Sequence, residues 1–348
     1  MSGGILDNSE VLLVASRGAA EEHGLWLWTE GEGGWTGRQI DTVRQLSSLT
    51  AHPKLPVVYG TAGVEEGWLY SWHIDAKREE RLSATLSMGV EPCDLTVDPS
   101  GRLLIATNYT TSTLALQPLG PDGAFDGPLS LFRLSGSGPE VARQDDAHPH
   151  QAFFRDETLI VIDLGADCVR EFRLDFSKTG AEVLIEIRTT PVPPSTGPRH
   201  GVILDDGRLA VSGELGENLI TGHLGGSAAD WANIRSTLCT GPAKTRWERN
   251  YPGDIRRSGD GRYVYFANRS YDTLATFDVT EAEPKLIAEL DTTVHWPQHI
   301  VVRRDCLMVA GWDSSRVVTL RLSDGIPQRV VPIFDCAGAG WLHIHQIP

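Results

Sequence analysis

Short apolar runs that stop at a small or polar residue recur seven times along this chain. Their ends are Val14-Ala15-Ser16, Tyr59-Gly60-Thr61, Ala106-Thr107-Asn108, Val161-Ile162-Asp163, Val211-Ser212-Gly213, Phe266-Ala267-Asn268 and Val309-Ala310-Gly311. Counted at 15, 60, 107, 162, 212, 267 and 310, they lie 45, 47, 55, 50, 55 and 43 residues apart. That is the period of a four-stranded propeller blade. Each unit reads alike. A short strand leads into a turn on Asp or Gly, as at Asp98-Pro99-Ser100-Gly101 or Gly259-Asp260-Gly261. The apolar strand follows, then a polar loop and an alternating strand such as Leu25-Trp26-Leu27-Trp28 or Val317-Val318-Thr319-Leu320. Alternation marks half-buried strands, and no helical period competes over more than a turn or two.

The pattern predicts an all-β fold, a seven-bladed β-propeller of four-stranded antiparallel blades. A length of 348 residues could suggest two domains, but a blade cannot bury both faces alone. One domain over residues 1–348 is therefore expected. Innermost strands precede each turn, yet almost nothing precedes the first apolar strand, near Glu10 to Ala15. The alternating tail from Trp341 to Ile347 has no blade of its own, and it is predicted to supply the innermost strand of the first blade, closing the ring and hiding an edge.

Composition narrows the setting. Five cysteines (93, 168, 239, 306 and 336) are scattered without metal-ligand spacing, which suits reduced thiols. No signal-like start or membrane-length apolar run is present, so a soluble, cytoplasmic protein with no membrane partner is expected. A formal net charge of −15 speaks against nucleic acid. An anionic ligand would need a local cluster of Arg and His.

The repeat register locates one. Five innermost strands begin Pro-x-x: Pro92-Cys93-Asp94, Pro149-His150-Gln151, Pro198-Arg199-His200, Pro252-Gly253-Asp254 and Pro297-Gln298-His299. Their first residues gather at one mouth of the central tunnel. The residue after each strand end forms a second ring: Arg17, Ala62, Tyr109, Leu164, Glu214, Arg269 and Trp312. Several of these are larger than a hairpin needs.

Ordered segments then resemble a known family. They are Asn108-Tyr109 followed by Pro118-Leu119-Gly120-Pro121-Asp122-Gly123, His148-Pro149-His150-Gln151, Gly197-Pro198-Arg199-His200, Gly213-Glu214-Leu215-Gly216-Glu217-Asn218, and Asp260-Gly261-Arg262-Tyr263-Val264-Tyr265 running to Asn268-Arg269. Together they are similar to the seven-bladed lactonases, which include propeller-type 6-phosphogluconolactonases of the pentose phosphate pathway and carboxy-muconate lactonizing enzymes. The resemblance implies a catalytic set of His150, Arg199, Glu214 and Arg269. Arg17, Asn108, Tyr109, Gln151, His200, Asp254, His299 and Trp312 are the expected substrate contacts. Where the family has Glu-Ile before the Asp-Gly turn this chain has Asp254-Ile255, and Thr110-Thr111-Ser112 replaces a Gly-rich loop.

The chemistry suits hydrolysis of a sugar lactone, a small anionic or sugar-derived substrate. Arg199 and Arg269 would hold the tetrahedral oxyanion, and His150 or Glu214 would move the proton. Neither metal nor cofactor is expected. His148 and His150 lack a third zinc ligand at fixed spacing; Asp94, Asp163, Glu214 and Asp254 could hold calcium, but the arginines at the same mouth argue against it. His200, His299 and Asp94 have a structural alternative as hydrogen-bonding groups between blades. Arg246 and Arg249 are candidate secondary anion contacts, and Trp26, Trp28 and Trp72 are expected to pack between blades. The alternatives to a hydrolase are a lactonizing cycloisomerase and a non-catalytic binding propeller.

Overall fold

The computed structural model describes residues 5–7, 9–239 and 249–348. The repeat becomes seven four-stranded antiparallel sheets, whose innermost strands contact their neighbours round a closed cycle. These strands are Ala339–Gln346, Leu46–Ala51, Pro92–Val97, Pro149–Arg155, Pro198–Ile203, Pro252–Arg257 and Pro297–Val302, for blades one to seven. The chain's only helices among the described residues are two 3-10 turns, Gly180–Val183 and Ala228–Asp230.

Burial separates the strands of each blade. Second strands, such as Leu103–Asn108, are buried along their whole length, while an outermost strand such as Glu79–Leu86 is half-exposed or exposed throughout. Seven apolar clusters lie between or within neighbouring blades. Trp28 of blade one stacks on Phe334 of blade seven at 3.8 Å, and Trp72 of blade two donates its indole N–H to Asp41 of blade one at 2.7 Å. The Asp-Gly turns are braced locally: Asp98 Oδ1 accepts from the Arg102 and Leu103 amides, both at 2.7 Å, while Gly101 takes the positive φ of 82° that the tight turn requires.

The tail closes the ring. Ala339–Gln346 pairs antiparallel with Glu10–Ser16, from Glu10 opposite Gln346 to Ala15 opposite Trp341. The strand begins two residues before the expected Trp341 and ends one before Ile347.

Side chains on the innermost strands clasp one blade to the next. Asp94 Oδ2 accepts from the Ala152 amide at 2.9 Å, and Gln151 Oε1 from the Gly201 amide at 2.7 Å. His200 Nδ1 lies 3.0 Å from Asp254 Oδ1. Asp254 Oδ2 in turn accepts from the Ile300 amide at 2.8 Å, and His299 Nδ1 from the Leu342 amide at 3.4 Å. Gln151, His200, Asp254 and His299, expected as substrate contacts, thus have partners in the neighbouring blade. Gln151, Asp254 and His299 accept from backbone amides of the next blade, and His200 pairs with the Asp254 carboxylate. Asn108 is fully buried, donating to Ser87 O at 3.2 Å and Thr113 Oγ1 at 3.0 Å.

Candidate active site

Every innermost strand is irregular near its first residues. The pairing with the second strand slips past Ser47, Cys93, His150, Arg199-His200, Gly253-Asp254, Gln298 and Gly340. A β-bulge inserts a residue and re-aims its side chain. Six of the slipped positions, Ser47, Cys93, His150, Arg199, Gln298 and Gly340, line a cavity of about 280 Å³ at one mouth of the tunnel. The residue after the bulge turns back between blades, and this is why Asp94, Gln151 and His299 miss the cavity.

The second ring contributes Arg17, Tyr109, Glu214, Arg269 and Trp312 to the same cavity. Leu164 is wholly buried, and Gly63 rather than Ala62 reaches the lining. His150, Arg199, Glu214 and Arg269, drawn from blades four, five and six, therefore meet in one place.

Glu214 is the centre of the cluster. Its Oε2 accepts from Arg269 Nη2 at 2.6 Å and lies 3.2 Å from Arg199 Nε, and its Oε1 accepts from Arg143 Nη2 at 2.7 Å. Burial opposes ionisation of this carboxyl, but Arg269, Arg143 and Arg199 outweigh it and hold the group well below the usual carboxylate range. Arg269 is fixed further by Tyr251 O at 2.8 Å and by the Trp296 ring 4.9 Å from its guanidinium carbon.

His150 stands beside this cluster, edge-on to Tyr109 at 5.6 Å and to His200 at 5.3 Å. Burial, with the nearby Arg199 and His200, pulls its pKa well below that of an ordinary histidine. The imidazole is thus neutral at physiological pH. Its Nδ1 and the Nη1 of Arg199 are buried with no hydrogen-bond partner among the described residues. Such orphaned groups at a cavity wall are poised for a ligand or water. The Cys93 thiol also reaches the cavity, but burial pushes it up to about 12, so it stays protonated and non-nucleophilic.

His148 is engaged by Tyr109: its Nδ1 lies 2.9 Å from Tyr109 O and the two rings stack at 4.6 Å. The four carboxylates weighed for calcium go to different partners, with Asp163 2.8 Å from the His148 amide and 3.0 Å from Arg170 Nε. Among the described residues no three His, Cys, Asp or Glu form a metal cluster. Arg249 supports the Glu214 loop from behind, bonding Leu215 O and lying 3.6 Å from Glu217. Arg246 lies outside the described residues.

Sequence reasoning missed Arg143, Glu91, Tyr251, Trp296, Gln298 and Trp341 in the lining. Gln298 and Cys93 share the Pro-x register of His150 and Arg199, a signal that was present. Arg143 comes from the irregular segment between the strands Ser130–Arg133 and Pro149–Arg155, and no periodicity marks it.

The family model described as "Lactonase, 7-bladed beta-propeller" matches residues 35–328. A 6-phosphogluconolactonase of Bacillus subtilis is 28% identical over 243 residues, 68% of this chain and 67% of that protein. One from Formosa agariphila is 26% identical over 296 residues, 81% of this chain and 83% of that protein. The solved structure of a periplasmic gluconolactonase from Pseudomonas aeruginosa matches with a TM-score of 0.80 and 19% identity, covering 97% of this chain and 99% of the other. That last likeness is one of fold.

Proposed function

This chain belongs to the seven-bladed β-propeller lactonase family, and on that premise we propose that it hydrolyses a sugar lactone, 6-phosphogluconolactone or a related aldonolactone. The observation that carries the reading is a neutral His150 beside two guanidiniums, all lining one cavity. At about 280 Å³, the cavity is near the lower end of the roughly 300–1,000 Å³ of small-molecule pockets, which suits one sugar ring and its substituents.

In this mechanism His150 removes a proton from water as the oxygen attacks the lactone carbonyl carbon. Arg199 and Arg269 stabilise the oxyanion, which forms without any change in their position. The tetrahedral intermediate then collapses with cleavage of the ring C–O bond. The imidazolium returns its proton to the departing alkoxide, leaving an open-chain aldonic acid that gives up its carboxylic proton to solvent as the aldonate. Glu214 is assigned no proton transfer here, because three cations stabilise its ionised form. Its part is to hold the guanidiniums in register. The cytoplasm is the compartment that five unpaired cysteines favour, and no helix among the described residues is long and apolar enough to cross a membrane.

A panel of δ- and γ-lactones, with and without phosphate, assayed by acid release, tests the proposal. Arg199→Ala and Arg269→Ala are each expected to cut turnover at least about a hundredfold, and turnover is expected to survive exhaustive chelation. Absence of any lactone hydrolysis by the unaltered protein, or inactivation by chelator that added calcium reverses, overturns it.

A further inference from the structure

Four guanidiniums line the cavity, and three of them share one carboxylate. Arg143, Arg199 and Arg269 converge on Glu214. Arg17 does not. It follows the strand Glu10–Ser16 on blade one, its amide tied to Gly338 O of the closing segment at 2.8 Å. Its guanidinium lies over the Trp312 ring at 4.7 Å. Its Nε is buried with no hydrogen-bond partner, and no carboxylate stands within ion-pair distance among the described residues. Glu91 also lines the cavity; its charge acts on Arg17 from beyond ion-pair distance without outweighing the guanidinium's burial, and its Oε2 accepts from Thr110 Oγ1 at 2.6 Å.

An arginine does not shed its proton in a protein, so the charge of Arg17 persists and calls for a counter-anion. The lining holds four arginines against two glutamates, in a chain whose formal net charge is −15. Two positive charges therefore stand uncompensated when Glu91 and Glu214 are ionised and His150 is neutral. A phosphate monoester carries about −1.5 to −2 at neutral pH, a closer match than a single carboxylate. The planar guanidinium fork suits its oxygens, and the Trp312 face holds the fork in place while adding a cation–π contact.

We propose that Arg17, seated on Trp312, is the receptor for a phosphate monoester carried by the lactone away from its scissile ester. It selects phosphorylated over unphosphorylated substrate. This rests on the lactonase reading, and it adds a division of labour: Arg199 and Arg269 serve the reacting carbonyl, Arg17 the remote anion.

The test compares kcat/KM for glucono-δ-lactone and its 6-phosphate in the unaltered protein, Arg17→Gln and Arg17→Lys. The preference for the phosphorylated lactone is expected to collapse at least about tenfold in Arg17→Gln, mainly through KM, with partial recovery in Arg17→Lys. Inorganic phosphate is expected to raise the Tm of the unaltered protein and of Arg17→Lys, and to leave Arg17→Gln unmoved. Circular dichroism reports whether each variant is folded. An equal loss on both lactones overturns the receptor role while the lactonase reading stands. If the unaltered protein opens neither lactone, the lactonase reading fails, and the phosphate shift still decides whether Arg17 binds that anion.

Discussion

Replacing Glu214 by Gln separates an organiser of the site from its base. The substitution keeps the shape and removes the charge that three guanidiniums share at 2.6, 2.7 and 3.2 Å. Arg199 and Arg269 have side chains only 4% and 8% exposed. Arg143, at 38%, is screened by solvent and counts for little. A buried pair broken from one side costs about 3–5 kcal/mol, because the surviving charge is stranded. At roughly 2.1 cal/mol/K per residue, 348 residues give an unfolding entropy of about 0.7 kcal/mol/K. Glu214→Gln should therefore lower Tm by about 4–7 °C in dilute, low-salt buffer, and sulfate should restore part of the loss by occupying the vacated anion position. Lactone turnover should fall at least about a hundredfold as the guanidiniums drift apart. The ascending limb of the pH–rate profile should persist in the residual activity, because His150 carries it. Calorimetry and a pH-stat measure both quantities. An unchanged Tm would refute the electrostatic account, and loss of the ascending limb would make Glu214 the base.

Two further outcomes concern the scaffold. Burial pushes the Asp94 carboxyl up to about 7, against hydrogen bonds from the Ala152 and Leu95 amides; with an unfolded value of about 3.9, the folded state is penalised for ionising, so its stability is full below about pH 4 and declines as pH rises through 7. Asp94→Asn keeps an acceptor for the Ala152 amide and should flatten that decline, gaining on the order of 1–3 kcal/mol at pH 8 and nothing at pH 4; an equal urea-unfolding gain at both pH values would refute the titration. Deleting residues 339–348 removes the strand paired with Glu10–Ser16 and the buried Leu342 and Ala339, and should abolish cooperative unfolding. A truncated chain that melts with the native Tm would show that ring closure contributes nothing.

The amino-acid sequence by itself determined the number of blades, their order and the closing tail, because a strand's burial is written as local periodicity and the repeat multiplies that signal sevenfold. It also placed His150, Arg199, Glu214 and Arg269 on two rings at one tunnel mouth, since register carries across equivalent blades. It did not say which of two consecutive residues faces the mouth. His150 enters the cavity and Gln151 does not because a bulge at the strand start shifts the alternation, a detail of pairing between strands that no single strand encodes. Tertiary structure alone brought Arg143 from an aperiodic loop onto Glu214 and left Arg17 with no carboxylate at ion-pair distance among the described residues. Ion pairs between residues 71 positions apart depend on how distant loops meet over the tunnel, and charge balance within a cavity exists only after the ring has closed.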